Sequence, residues 1–204
     1  MTKFSSLTAN AISLPDDDVD TDIIYPARFL LITKREGLAR YAFADRVSNG
    51  DKRIGDGHGA PILIAGRNFG CGSSREHAVW ALAALGVKAI FAPSFGEIFR
   101  TNCANNGILA GIVAEERIAK LHMTANAGEE FSVDLTEQTV SCNGEAIPFL
   151  IGEAERKSLL NGWNETTRIL SLHAQHIAQF EQKQRAEAPW LWANDTKKEC
   201  TENV

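Results

Sequence analysis

The four cysteines of this chain stand at positions 71, 103, 142 and 200, and no two are close. Such spacing excludes a CxxC metal knuckle and offers no framework for a small disulfide-stapled fold, so reduced thiols are expected. Long apolar runs are also missing. No stretch approaches the roughly 18 apolar residues of a membrane-spanning helix, so no membrane partner is expected. Basic charge is in deficit: 21 Lys and Arg stand against 26 Asp and Glu, a net charge of −5 at pH 7. That balance argues against nucleic acid as a partner. The opening MTKFSSLTANAISLPDDD has no apolar segment of signal-peptide length, so a mature cytoplasmic chain is expected. No internal repeat is found.

What is present is ordinary for a soluble α/β protein: 204 residues, 44% hydrophobic and 23% charged. The length suits one large domain, or one domain with an appendage. The best-signalled stretch is Pro61–Gly86. Ile62–Ala65 is a continuous apolar run, the pattern of a buried parallel strand. Gly66–Gly72 is a glycine loop, and Ser73-x-x-Glu76 has the form of a capping box, with Ser73 as N-cap and Gly86 as the stop. Val87–Ala92 is a second strand closed by Pro93. Ser94-x-x-Glu97 repeats the capping box and opens a helix to about Asn105, and Ile108–Val113 is a third strand. Two successive strand–helix–strand units imply parallel pairing with right-handed crossovers.

Around this centre, residues 1–15 read as an entry strand. Asp16–Asp22 places five carboxylates in seven residues. The run lacks the glycine and glutamate of a calcium loop, so it reads as a solvated turn with one functional residue, Asp22. Residues 34–60 predict a short helix near 36–46 and then a mobile, lid-like loop. Later come a helix over Glu115–Met123, strands over Glu130–Leu135 and Thr139–Cys142, and an Asn143-Gly144 type I′ hairpin leading to Glu145–Ile151. Helices follow over Glu153–Asn161 and from about Glu165 to Gln184. The expected organisation is a domain over 1–160, a helical extension over 161–194 packed on it, and a disordered tail over 195–204.

The junction of glycine loop and helix concentrates polar groups. A helix N-terminus carries unpartnered N–H groups and about half a positive charge. Gly70 and Gly72 admit a close ligand, Ser73 and Ser74 add hydroxyls, and Arg75 offers a planar fork for a carboxylate or phosphate. The P-loop string is absent, the dinucleotide fingerprint lacks its third glycine because Arg75 stands there, and no GxSxG surrounds Ser73. A small carboxylate is the favoured ligand. The plainer alternative is a capped helix with Arg75 in solvent.

The string Asn68-Phe69-Gly70-Cys71-Gly72-Ser73-Ser74-Arg75-Glu76-His77-Ala78 resembles the signature of the aconitase superfamily's swivelling domain, in the form found in isopropylmalate isomerase small subunits. Val19–Pro26, Ala92–Phe99 and Asn105–Leu109 resemble the same family in the same order, so the likeness covers about residues 3–194. It implies a β/β/α domain with a mixed or barrel-like sheet, plus C-terminal helices. It also implies a two-subunit hydro-lyase of leucine biosynthesis, moving the hydroxyl of 2-isopropylmalate through isopropylmaleate to 3-isopropylmalate. A [4Fe-4S] cluster on the large subunit would bind the hydroxyl as Lewis acid. By the same resemblance, Ser73 matches the serine base, Ser74 and Arg75 match substrate carboxylate contacts, and Asp22 matches an acidic residue near the site. Leu31, Lys34 and Arg35 lie in the segment expected to shape side-chain choice. The four scattered cysteines match no cluster motif, so no metal site is expected in this chain.

Other readings remain open at this point: a homoaconitate, citraconate or dimethylmalate dehydratase subunit, a non-catalytic carboxylate-binding module, or a stand-alone enzyme. His77 reads as a helix residue satisfied by hydrogen bonds. His173 and His176 read as core or interface residues. Trp190 and Trp192 read as covering a partner or folding back on the body.

Overall fold

A computed structural model describes residues 1–32, 34–51, 53–54, 60–73 and 75–192. The chain divides into two compact units, Met1–Asn164 and Glu165–Val204. The first holds seven strands: β1 (Ser6–Leu14), β2 (Ile62–Ala65), β3 (Ala89–Ala92), β4 (Leu109–Ile112), β5 (Glu130–Asp134), β6 (Thr139–Cys142) and β7 (Glu145–Pro148). Its helices are α1 (Thr21–Ile24), α2 (Ala44–Ser48), α3 (Glu76–Ala84), α4 (Glu97–Asn105), α5 (Glu115–Asn126) and α6 (Glu153–Asn161).

The strands form one sheet in the order β4-β3-β2-β1-β5-β6-β7. Strands β1 to β4 run parallel, in register Leu14 with Ala65 and Ile90 with Ala110. Strands β5 to β7 are antiparallel, and β5 joins the other edge of β1 with Ala9 opposite Phe131. The sheet curls until its ends meet. Ile112 at the end of β4 and Leu150 just beyond β7 exchange both backbone hydrogen bonds, at 2.8 and 2.9 Å. The mixed, barrel-like sheet expected from the sequence is therefore present.

Alternation in β2 and β3 explains the two cores. Ile62, Ile64, Ala89 and Phe91 point into one apolar cluster with Phe131, Val133, Val140 and Phe149 from the antiparallel strands and their flank. Leu63, Ala65, Ile90 and Ala92 point the other way, under Ala78, Val79 and Leu82 of α3 and Phe99 and Cys103 of α4. Both faces are buried, which is why these strands read as unbroken apolar runs. Gly86, Gly107 and Gly162 follow α3, α4 and α6 with φ of 90°, 80° and 70°, the left-handed helix stop expected of them. Asn143 and Gly144 take φ of 51° and 76°, as a type I′ hairpin needs.

Three expectations are corrected. Ser73 is not the N-cap of α3: Arg75 holds that position, in extended conformation with no side-chain cap. Ser94 does not cap α4 either, because Gly96 is its N-cap and the Ser94 hydroxyl accepts the Asn68 N–H at 2.9 Å. The third correction concerns the single short helix expected near 36–46. The described part of 34–60 instead packs down as a 3-10 turn over Leu38–Tyr41, then α2, with Leu38, Phe43 and Ile54 buried. It is tied by ion pairs from Arg46 to Asp16 and from Arg53 to Asp51, both at 2.7 Å. Residues 55–59 of the expected lid-like loop lie outside the described residues.

The second unit contains α7 (Glu165–Glu187), three residues longer than expected, and a 3-10 turn over Pro189–Trp192. His173 and His176 are exposed, not core, with ring centroids 6.3 Å apart. Trp192 folds back on its own helix, under the Arg185 guanidinium at 4.0 Å, while Trp190 is exposed. The tail expected over 195–204 lies outside the described residues. Among the described residues no helix is long and apolar enough to cross a membrane.

Candidate functional site at the glycine loop

The loop between β2 and α3 continues the sheet past the strand ends. On one side Asp18 N–H donates to Arg67 O at 2.9 Å, Gly70 N–H to Val19 O at 2.7 Å and Thr21 N–H to Cys71 O at 3.0 Å. On the other side Phe69 N–H donates to Ser94 O at 3.1 Å and Gly96 N–H to Phe69 O at 3.0 Å. The glycine loop is thus held between the Asp16–Asp22 segment and residues 94–96, in the same lateral order as β1, β2 and β3.

The acidic run is a set of stitches, not a solvated turn. Asp16 pairs with Arg46, Asp17 accepts the Arg67 N–H at 2.7 Å, and Asp18 accepts the Asn68 side-chain amide at 2.7 Å. Asp20 caps α1 by accepting the Ile23 N–H at 2.8 Å. Asp22 forms an ion pair with Arg75 and also accepts the Ala27 N–H at 3.1 Å. Arginine neighbours hold the Asp16 and Asp51 carboxyls below the usual range. For Asp51 the bond from Arg53 dominates and the pKa falls to about 2.

Two glycines shape the loop for different reasons. Gly70 has φ of 71°, and a Cβ there would stand 2.2 Å from the Phe99 ring, so packing of α4 demands glycine. Gly72 has φ of 87°, with nothing nearer than the Asp20 Cβ at 3.5 Å. It faces outward beside Ser73, which is exposed. Arg75 is mostly covered, its side chain only 20% exposed, whereas that of Asp22 is 50% exposed. Ser74 lies outside the described residues. An open cleft of about 350 Å³ lies alongside, lined by Asp20, Asp22, Ile23, Asp45, Arg46 and Asn49.

The specificity candidates divide. Leu31 is 94% exposed and Lys34 is exposed, whereas Arg35 lies over the Trp80 ring of α3 at 4.5 Å. Behind them Tyr25, Phe29 and Tyr41 pack as an aromatic cluster, with Tyr25 fully buried. His77 packs among rings: it stacks on Tyr25 and tilts against Trp80 at 4.6 Å, and its Nε2 has no hydrogen-bond partner among the described residues.

The three cysteines among the described residues do not converge. Cys71 sits in the loop, Cys103 is buried in α4 and Cys142 is buried on β6. Burial first, then Asp20 and Asp18, pushes the Cys71 thiol up, so it is protonated at neutral pH. Among the described residues no group of three metal-ligating side chains is assembled. The donor set of the described residues does not fit an iron–sulfur cluster.

Chemically, the junction presents an exposed hydroxyl, a covered arginine and the amino end of a nine-residue helix. Such a junction can accept a small oxyanion, with Arg75, already paired to Asp22, as its cation. Sequence reasoning missed Thr21, whose hydroxyl donates to Ser73 O at 3.1 Å. It also missed Ser94 as a loop anchor and Asn106, whose amide donates to Glu76 Oε1 at 2.9 Å. All three lay inside strings singled out for their resemblance, which was the available signal.

Residues 1–116 match the family described as the aconitase C-terminal domain, and residues 172–192 match the C-terminal domain of the 3-isopropylmalate dehydratase small subunit. The 3-isopropylmalate dehydratase small subunit of Neisseria meningitidis serogroup B is 41% identical, over 94% of this chain and 99% of its own. That of Rhodospirillum centenum is 42% identical, over 93% and 98%. Among solved structures, a 3-isopropylmalate dehydratase from Methanocaldococcus jannaschii superposes with a TM-score of 0.62 at 27% identity, covering 87% of this chain and 99% of that one.

Proposed function

Because this chain belongs to the family of 3-isopropylmalate dehydratase small subunits, we propose that it supplies the base and the carboxylate anchor of a two-subunit hydro-lyase. The substrate is 2-isopropylmalate, the product 3-isopropylmalate and the intermediate isopropylmaleate, as a cytoplasmic step of leucine biosynthesis. A [4Fe-4S] cluster, for which the described residues assemble no site, belongs to the large subunit.

The observation that carries this reading is the pairing of an exposed Ser73 with a covered Arg75 across the start of α3. A serine hydroxyl is normally too weak an acid to serve as a base. The dipole of α3, which begins three residues on, and the Arg75 guanidinium, shared with Asp22, favour its alkoxide. Ser73 Oγ then takes the proton from the carbon next to a substrate carboxylate. The C–H electron pair becomes the new double bond, and the hydroxyl leaves from the neighbouring carbon on the partner's side. In rehydration hydroxide adds to the carbon that lost the proton, and the double-bond pair takes the Ser73 proton at the other carbon. Arg75, with Ser74, clasps a carboxylate on which negative charge builds as the proton leaves, so it contributes most in the transition state. Leu31, Lys34 and Arg35 contact the substrate's side chain.

The test is anaerobic co-purification with the large subunit and an isomerase assay on 2-isopropylmalate, alongside homoaconitate, citraconate and dimethylmalate. Full assembly of Ser73→Ala with turnover lost supports the reading. Turnover by Ser73→Ala, or by this chain alone, defeats it, and a preference for another malate reassigns the substrate.

A further inference from the structure

We propose that Thr21 is the positioning residue of Ser73, holding the peptide of the catalytic serine so that its hydroxyl, and not its carbonyl, faces the ligand. This rests on the reading of Ser73 as the base.

Thr21 is 2% exposed, one of four buried polar residues among the described residues, in a core otherwise apolar. It opens α1, which has only four residues, and its methyl group is not needed to nucleate anything that short. Its polar groups both reach the glycine loop. Its N–H donates to Cys71 O at 3.0 Å and its hydroxyl donates to Ser73 O at 3.1 Å, so one residue grips the carbonyls on either side of Gly72. Gly72 stands in the left-handed region with no side chain to lock it. A peptide next to such a glycine rotates easily unless something outside fixes it.

The Ser73 carbonyl has two lone pairs, and both are taken: the Arg75 N–H donates at 2.8 Å and the Thr21 hydroxyl at 3.1 Å. This matters for the alkoxide. A free carbonyl dipole beside a developing O⁻ is repulsive, and a carbonyl turned away with both lone pairs neutralised by donors is not. Removal of the Thr21 donor leaves a lone pair that the peptide can satisfy by rotating toward water, which carries Ser73 Oγ out of line. Loss of alignment by a fraction of an ångström lowers the chemical step while leaving Arg75 to bind the carboxylate.

The experiment uses the complex reconstituted with the large subunit and compares Thr21→Val, Thr21→Ala and Thr21→Ser with wild type and Ser73→Ala. Valine keeps the shape and removes the donor, and serine keeps the donor and removes the methyl. The expected result is a fall in kcat of about tenfold in Thr21→Val and Thr21→Ala, with KM within about twofold of wild type and kcat restored in Thr21→Ser. Wild-type kcat in Thr21→Val overturns the proposal. So does a loss carried wholly by KM, or an equal loss in Thr21→Ser. If the valine and alanine variants both fail to assemble while serine assembles, Thr21 is a folding residue and the proposal falls. Ser73→Ala separates the layers: if it retains turnover, the base assignment itself fails, whereas an inactive Ser73→Ala beside a fully active Thr21→Val removes only the positioning role.

Discussion

Asp22 and Arg75 form an ion pair that joins α1 to the start of α3 across 53 positions of sequence. A carboxylate inside an anion site cannot itself attract a dicarboxylate. Its use in the proposed site would be to fix the guanidinium, so that the remaining N–H groups meet the ligand already oriented. Asp22→Ala is therefore expected to assemble normally and to raise KM for 2-isopropylmalate roughly tenfold, by loss of about 1.4 kcal/mol of binding. Steady-state kinetics on the reconstituted complex decide, and an unchanged KM refutes the orienting role.

Gly70 is expected to tolerate no side chain. Its φ of 71° and the Phe99 ring 2.2 Å from a would-be Cβ act together. Gly70→Ala should cost about 3 kcal/mol and lower the melting temperature by ~10 °C. Double substitution with Phe99→Leu should recover part of that loss, and a melting curve equal to wild type for the single variant would remove the packing argument.

Ser94 is expected to show its role in exchange more than in stability. Its hydroxyl accepts the Asn68 N–H and its carbonyl the Phe69 N–H. Ser94→Ala should cost about 1 kcal/mol, with faster hydrogen exchange at the Asn68 amide and little change at Gly70, whose acceptor is Val19 O. Exchange at Asn68 no faster than in wild type would contradict the anchor.

These anchors show what a single sequence can disclose. The strands over 62–65 and 89–92 were legible because burial of both faces makes each an apolar run, and the helix ends because glycine stands where the chain must turn left-handed. The two capping boxes were misread because the motif specifies only local spacing. Ser94 has a partner 26 residues away, and α3 begins two residues later than its capping serine would require. The acidic run was misread for the same reason, since its partners Arg46, Arg67, Asn68 and Arg75 arrive from distant segments. Nothing in the pattern of β1 announces that it pairs parallel on one edge and antiparallel on the other.

Stability should fall in two stages on acidification. His122 is hydrogen-bonded to Ser13 Oγ at 2.9 Å, and burial, only partly offset by a hydrogen bond to the Ala65 backbone, lowers its pKa. A depressed pKa means that the unfolded chain binds protons first, so this contribution is complete above about pH 6.5 and is lost as pH falls below it. Asp51, at about 2, follows the same sign lower down: its contribution holds above the ordinary carboxylate pKa and is lost toward pH 2. Denaturation midpoints measured from pH 7 to 3 should decline, and His122→Gln should flatten the upper stage alone. An unaltered slope between pH 6.5 and 5 in that variant would count against the assignment.

The meeting of Ile112 with Leu150 bears on the life of the protein before it finds its partner. A sheet left open would end in two rows of bare N–H and C=O groups, each a template for another chain. Here one bridge, Ile112 with Leu150, joins the end of β4 to the residue just beyond β7. That bridge holds the two ends of the row against each other at one point, where neither is left open as a template for another copy.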